Sequence, residues 1–198
     1  MKYFNNKGNE VEMTKWEIID TIIYISDGLM NYFSKLGKVT PSIFDQIKSE
    51  DEEDDSTNDL TEEKNNRFLE KYEKKSMSEC LITWVKELDI EKELLILAMM
   101  NIDKILEHNF ILSEDNIKNV LFTCLVVSQK FFEDVVFKEK DYSEVGNIPI
   151  KLLTQFQIEF LDQIDYSLNV KESEFIEYQK KMFTIWKGKV SKGQKINE

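Results

Sequence analysis

The segment LFTCLVVSQKFF, Leu121 to Phe132, constrains the fold more than any other part of the chain. Wound into a helix, its apolar side chains cover more than one side. A helix that is apolar on most faces does not lie on a surface; other elements have to surround it. The rest of the chain offers helices for that purpose. It holds two Pro and six Gly in 198 residues, and its apolar residues recur at helical spacing almost throughout. The pattern predicts an all-α fold built around a central helix.

The boundaries follow from local chemistry. Thr14 and Glu17 form a Ser/Thr-x-x-Glu capping box, in which each side chain satisfies an exposed backbone N–H. It predicts a first helix from Thr14 to about Leu36, stopped at Gly37. Thr40 followed by Pro41 opens a short second helix, with Pro at the first position, where no N–H is needed. The run EDEEDDSTNDLTEE, Glu50 to Glu63, cannot bury apolar surface and repels itself, so a disordered linker is expected there. Ser76 and Glu79 form another capping box, opening a helix through Trp84 to about Leu88. Asp89 is expected to cap the next helix, which carries Leu94, Leu95, Ala98, Met99, Ile102 and Leu106. Ser113 caps a third, whose inward stripe is Ile117, Val120, Leu121, Cys124, Leu125, Ser128 and Phe132. Glu114 and Asp115 fall in its first turn, where the helix dipole favours negative charge. Gly146 and Pro149 interrupt the chain before a fourth helix with Leu152, Leu153, Phe156, Phe160, Leu161 and Ile164. A fifth runs from about Lys171 to Trp186, and the tail after Gly188 is polar.

Charge and composition narrow the function classes. Net charge is −12, so phosphate backbones and anionic lipid surfaces repel the chain on average. Neither a nucleic-acid nor a membrane partner is expected. The most apolar early segment, Trp16 to Phe33, is interrupted by Asp20, Asp27 and Gly28 and reads as an amphipathic helix, not a span. The polar N-terminus does not read as a signal peptide. Cys80 and Cys124 sit in apolar helical patterns without CxxC spacing, which predicts buried free thiols and a reducing, intracellular setting. Cytoplasm, nucleus and a cytoskeletal structure all remain open.

Nothing in the chain reads as an active site. His108, the single histidine, has no companion ligands, and zinc needs three or four. Asp103, Glu107 and His108 read as a solvated helix end with a structural Asp. No Gly-rich turn precedes a helix to cradle phosphate. No catalytic residue, cofactor or metal is expected, and the chain reads as a non-enzyme.

Three short motifs, in order and at native spacing, resemble the cyclin box, most closely that of the phosphate-response (P/U-type) cyclins. NIDKIL, at the end of the second box helix, is similar to the family's YIDR, with Asp103 matching and Lys104 in place of Arg. SQKFFED resembles AxKFxDD, with Lys130 at the lysine. YSEVGNIPIKLLTQFQIEFLDQIDYSLNV resembles the pattern YxxVGGxxxxELNxLExEFLxxIxFxLxV at Val145, Gly146, Leu153, Phe160, Leu161, Ile164, Tyr166, Leu168 and Val170. The likeness covers roughly Ser76 to Phe183. It implies a five-helix cyclin box preceded by an additional N-terminal helical pair. The expected division is an N-terminal helical extension (1–48), an acidic linker (49–66), the box (67–188) and a polar tail (189–198).

The resemblance also implies a function. A cyclin box carries no chemistry; it binds a cyclin-dependent protein kinase and positions the kinase helix whose glutamate pairs with the ATP-positioning lysine. The third and fourth helices of the box form that face in the family, with a lysine and a glutamate on it. Lys130 falls at the lysine; Phe131 and Glu133 follow it. The glutamate falls on Gln157. A hydrogen bond to a charged group contributes about 1.5–3 kcal/mol and a neutral one about 0.5–1.5, so the swap is expected to weaken the contact. Glu159, two residues on, points to a different side of the helix.

MSECLITWVKE further resembles the MRAILVDWLVE segment of mitotic-type cyclins, where a shallow apolar patch docks substrates. Met77, Leu81, Trp84 and Glu87 match, with Trp84 favoured as an ordinary packing residue. Ser78 replaces the family arginine that pairs with the Asp103 position, leaving Lys86 or Thr83 as expected donors to Asp103. Gln157 and Ser78 together leave a second function open: a cyclin-fold adaptor or scaffold in a larger assembly, without activation. A third, a nucleic-acid-binding relative like the transcription factors that share the fold, lacks the clustered Lys and Arg it would need.

Overall fold

In the computed structural model the described residues are 18–33, 75–108, 110, 112–114 and 116–193. Among them the chain forms seven helices: α1 (Ile18–Phe33), α2 (Met77–Glu87), α3 (Lys92–Glu107), α4 (Ile117–Phe132), α5 (Glu139–Gly146), α6 (Ile150–Gln163) and α7 (Glu172–Gly193). The expected cap at Thr14, the end at Gly37, the short helix at Pro41 and the acidic run lie outside the described residues.

The central helix is α4. Every side chain from Val120 to Gln129 is buried, on all sides of the helix. It packs between α3 and α6 and touches α5, while α1 lies on α2, α3 and α7. The polar groups on α4 that this burial removes from water are satisfied within the protein, as they must be to avoid a desolvation penalty. Thr123 donates to the Asn119 carbonyl (2.7 Å), and the Ser128 hydroxyl accepts from Asn101 (2.9 Å). Gln129 donates to the Leu88 carbonyl (2.9 Å) and accepts from the Tyr142 hydroxyl (3.1 Å).

The helix ends agree with the sequence in part. The Ser76–Glu79 box opens α2. Asp89 does not cap α3. It takes a left-handed φ of 49° in the turn after α2, and Glu91 precedes α3 without a side-chain cap. Asp tolerates that region better than most residues, so here it serves the turn. Ser113 does not cap α4, whose N-cap is Asn116 without a side-chain bond; it accepts from the Asn116 N–H (3.2 Å) while Asn116 accepts from the Ser113 N–H (2.8 Å). Those bonds close a turn ahead of α4, which itself starts at Ile117, so Glu114 stands outside its first turn. Helix α7 continues past Trp186 and Gly188 to Gly193.

Helix α5 was not anticipated, and it raises the helices from Met77 onward to six. Its sequence, EKDYSEVG, has only Tyr142 and Val145 as large apolar residues, and only Tyr142 is fully buried. Two positions give no period to read. Instead, ends hold it. Asp141 reaches back to the Lys138 N–H (3.0 Å), and Asn147 takes the left-handed position after the last turn (φ 49°, ψ 44°). Gly146 lets this end approach α4. A Cβ there would lie 2.6 Å from Phe122 Cζ, 2.7 Å from Cδ1 and closer still to Cε1.

Candidate functional site

The C-terminal end of α4, the start of α5 and the middle of α6 meet at one polar cluster. Lys130 lies in the last turn of α4 and Gln157 projects from α6; the Lys130 ammonium donates to Gln157 Oε1 at 2.7 Å. These two residues, matched to the family's docking pair, therefore lie side by side. The same ammonium forms an ion pair with Glu139, the first residue of α5, and sits 5.3 Å from the centre of the Tyr142 ring. Gln157 Nε2 donates to Glu139 Oε2 (3.3 Å) and to the Leu153 carbonyl (3.1 Å). The amide is thereby fixed with its oxygen toward Lys130 and its nitrogen toward Glu139.

Glu139 is the member of this cluster that sequence reasoning missed. The carboxylate absent at position 157 is present in space, carried by another helix. Its only sequence signal was its place beside Lys138 at the start of a short polar segment, and no local rule connects that place to Lys130. Glu159 makes none of the cluster's bonds; burial, and secondarily Asp162, push its carboxyl above the usual range.

An apolar rim adjoins the cluster. Phe131 is 48% exposed and packs edge-on against Phe132, with ring centres 4.9 Å apart. Val135 is 85% exposed, and Val136 and Phe137 are exposed as well. Phe137 meets Tyr142 edge-on at 5.9 Å, which ties the rim to the residue beneath Lys130. Glu133 is half-buried, and its N–H ends α4 on the Gln129 carbonyl at 3.0 Å.

The other matched segment faces inward. Met77, Leu81 and Trp84 are buried, and Trp84 packs on Phe122 with ring centres 5.0 Å apart; Glu87 alone is exposed. As placed, three of the four residues of the expected docking patch belong to the core, the reading favoured for Trp84. Asp103 takes its hydrogen bond from neither Lys86 nor Thr83 but from the Tyr178 hydroxyl of α7, at 2.6 Å. Thr83 instead bonds the Glu79 carbonyl (2.9 Å), and Lys86 lies 3.9 Å from Glu87. A donor on a helix so distant in sequence was not legible from local spacing. Burial raises Asp103, the Tyr178 bond lowers it and Glu107 raises it, with a net upward shift. Lys104, in the family's arginine position, donates to the Ser167 (2.8 Å) and Asn169 (3.5 Å) carbonyls and ties the end of α3 to the segment after α6.

Among the described residues no three His, Cys, Asp or Glu side chains gather as a metal set, and no helix is long and apolar enough to cross a membrane. Cys80 and Cys124 are free and buried; burial pushes the Cys124 thiol well up.

The family model "Cyclin" matches residues 41–168, from Pro41 across the acidic run to just before α7. Three relatives are similar over the middle of the chain. PHO85 cyclin-6 of Saccharomyces cerevisiae is 25% identical over 87 residues, 44% of this chain and 21% of that protein. Cyclin-U2-1 of Arabidopsis thaliana is 28% identical over 85 residues, 42% of this chain and 38% of its own length. Cyclin-P4-1 of Oryza sativa subsp. japonica is 26% identical over 85 residues, 42% of this chain and 40% of its own length. The chain thus spans well under half the length of these relatives. With the family model covering more than half of the chain, and an all-α fold around one buried helix, the chain belongs to the cyclin family.

Proposed function

We propose that this chain is a regulatory subunit that binds a cyclin-dependent protein kinase through the end of α4 and the adjoining face of α6, and that it holds the kinase's active-site helix in its working position. Lys130, Gln157, Phe131 and Glu133 form the contact in this reading. The observation that carries it is the pairing of Lys130 with Gln157 across two helices beside an uncovered apolar rim. An exposed apolar run rimmed by polar groups is the signature of a protein-binding surface. The yeast relative's name associates it with PHO85, which supports a kinase of that type as the partner. Activation follows from differential affinity: a subunit that binds the active arrangement better than the inactive one shifts the kinase toward it. The chain itself then contributes no catalytic group.

The test is capture of partners by the tagged chain from its source cells, followed by kinase assays on the recovered complex. A one-to-one complex with a cyclin-dependent kinase and stimulated phosphorylation supports the reading. Lys130→Glu is expected to reduce capture; because this side chain pairs with Glu139 and is 25% exposed, thermal unfolding of the variant is recorded beside it, and a loss of capture that exceeds the loss of folded protein supports the contact. Equal capture by that variant would move the interface elsewhere. Recovery of a kinase without stimulation would favour the adaptor.

A further inference from the structure

Resting on the kinase-subunit reading, we infer that Glu139 is the specificity-determining acceptor of this face, recognising an Arg or Lys side chain of the kinase in place of the carboxylate that position 157 lacks. The assignment comes from the unused bonding capacity of the three clustered groups. Lys130 is turned inward: its ammonium meets Glu139, Gln157 Oε1 and the Tyr142 ring, and its side chain is 25% exposed. Gln157 has its oxygen on Lys130 and its nitrogen on Glu139 and Leu153. Glu139 receives one bond on each oxygen, yet an ionised carboxylate accepts about four. Its side chain is 43% exposed, against 25% for its lysine partner. What the cluster offers outward is therefore an acceptor, held in place by a cation behind it and an amide beside it.

Charge in the surroundings fits the same partner. From Lys130 to Gly146 the chain carries five carboxylates against three lysines. One of those lysines is Lys130 itself, and Lys140 faces Glu144 at 3.6 Å. A donor arriving here meets a net negative edge beside the exposed Phe131, Val135 and Val136. The matching segment of the kinase would carry one basic side chain beside apolar ones. The ion pair leaves Glu139 fixed in direction, so little ordering cost remains to be met on binding.

The probe is the cyclin-dependent kinase captured by the wild-type chain, purified and titrated against three proteins: wild type, Glu139→Gln and Glu139→Gln with Gln157→Glu. Glu139→Gln is expected to weaken binding about tenfold or more, the difference between a charged and a neutral acceptor. It also flattens the salt dependence of binding, because a charge pair is lost. The double variant returns a carboxylate to Lys130 from α6 and recovers most of the affinity. Wild-type affinity and salt dependence in Glu139→Gln would overturn the assignment while leaving the kinase reading intact. So would a loss that Gln157→Glu fails to restore and that tracks a fall in thermal stability. If the wild-type chain captures no kinase, the regulatory-subunit reading fails first and this assignment with it.

Discussion

The two halves of the run from Val120 to Phe137 have nearly the same appetite for apolar surroundings and opposite fates. Val120 to Gln129 disappears into the protein, with Leu121, Phe122, Leu125 and Val126 sealed from solvent. Phe131 to Phe137 carries two further valines and three phenylalanines and leaves most of them in water. Hydrophobicity alone does not separate the two. The boundary falls at Lys130, held by its ion pair and amide contact; α4 ends two residues later, and Glu133 leaves it in an extended conformation. The inner half organises the fold, and the outer half leaves apolar surface unburied.

The largest effect expected from testing this contrast is on the inner half. Phe122 is fully buried, touching Trp84 and lying against Gly146. Phe122→Ala is expected to cost about 3–5 kcal/mol, the loss of transfer energy plus an unfilled cavity. Denaturant unfolding measures it. A loss under about 1 kcal/mol would mean that the inner half is less well packed than its burial indicates.

Gly146→Ala comes next. A Cβ placed within 2.6 Å of the Phe122 ring forces the ring or α5 to move. Overpacking of this kind costs about 1–3 kcal/mol. The cost should shrink in a Phe122→Leu background, because the two sites are in contact and their effects do not add. Additive losses in a double-mutant cycle would show that the glycine serves the turn rather than the ring.

How much of this was legible in the sequence depends on whether a feature is local. The burial of α4 was readable because residue types on all its faces were apolar, and the Ser76 cap because donor and acceptor lie within one turn; Ser113 instead closes a turn ahead of α4. The place of Gly146 in the family-like pattern was visible, and its reason, the Phe122 ring, was not. Helix α5 offered too few apolar positions to set a period. The site divided the same way. Lys130 and Gln157 came from matched motifs, while Glu139 and Tyr178 contribute through pairings between helices. For Asp103, the nearby candidates Lys86 and Thr83 lost to a tyrosine on α7. Sequence spacing ranks neighbours along the chain, whereas packing chooses neighbours in space.

Tyr178→Phe tests that last pairing with a smaller effect. Burial holds the Asp103 carboxyl above its usual range, and the Tyr178 hydroxyl opposes the shift. A folded-state pKa above the unfolded value of about 3.9 means that the folded protein binds this proton more tightly. The stability Asp103 contributes is therefore fully present below the unfolded pKa and lost as pH rises through the folded one. Removing the hydroxyl raises the folded pKa further. The variant is expected to lose about 1.5 kcal/mol near neutral pH, the low end for a bond to a charged group because this one is exposed, and less below the unfolded pKa, where the carboxyl is protonated in both states. Denaturation at both pH values checks it; an equal loss at each would separate the hydroxyl from the carboxylate.

The smallest stability change, and the sharpest contrast with Phe122, is expected from Val135→Ser combined with Val136→Ser. Both side chains already face solvent, Val135 at 85% exposure, so neither can leave a cavity. Surface changes of this kind stay within about 0.5 kcal/mol each, and thermal unfolding should barely move. Binding should respond instead. Covering a valine side chain contributes about 1.5 kcal/mol or more, so losing even one such contact weakens the kinase complex roughly tenfold. A double variant with unchanged affinity would leave the rim without a partner and restrict the interface to the polar cluster around Lys130. A double variant that unfolds would mean that these valines support the fold after all, which would erase the distinction between the two halves of the run.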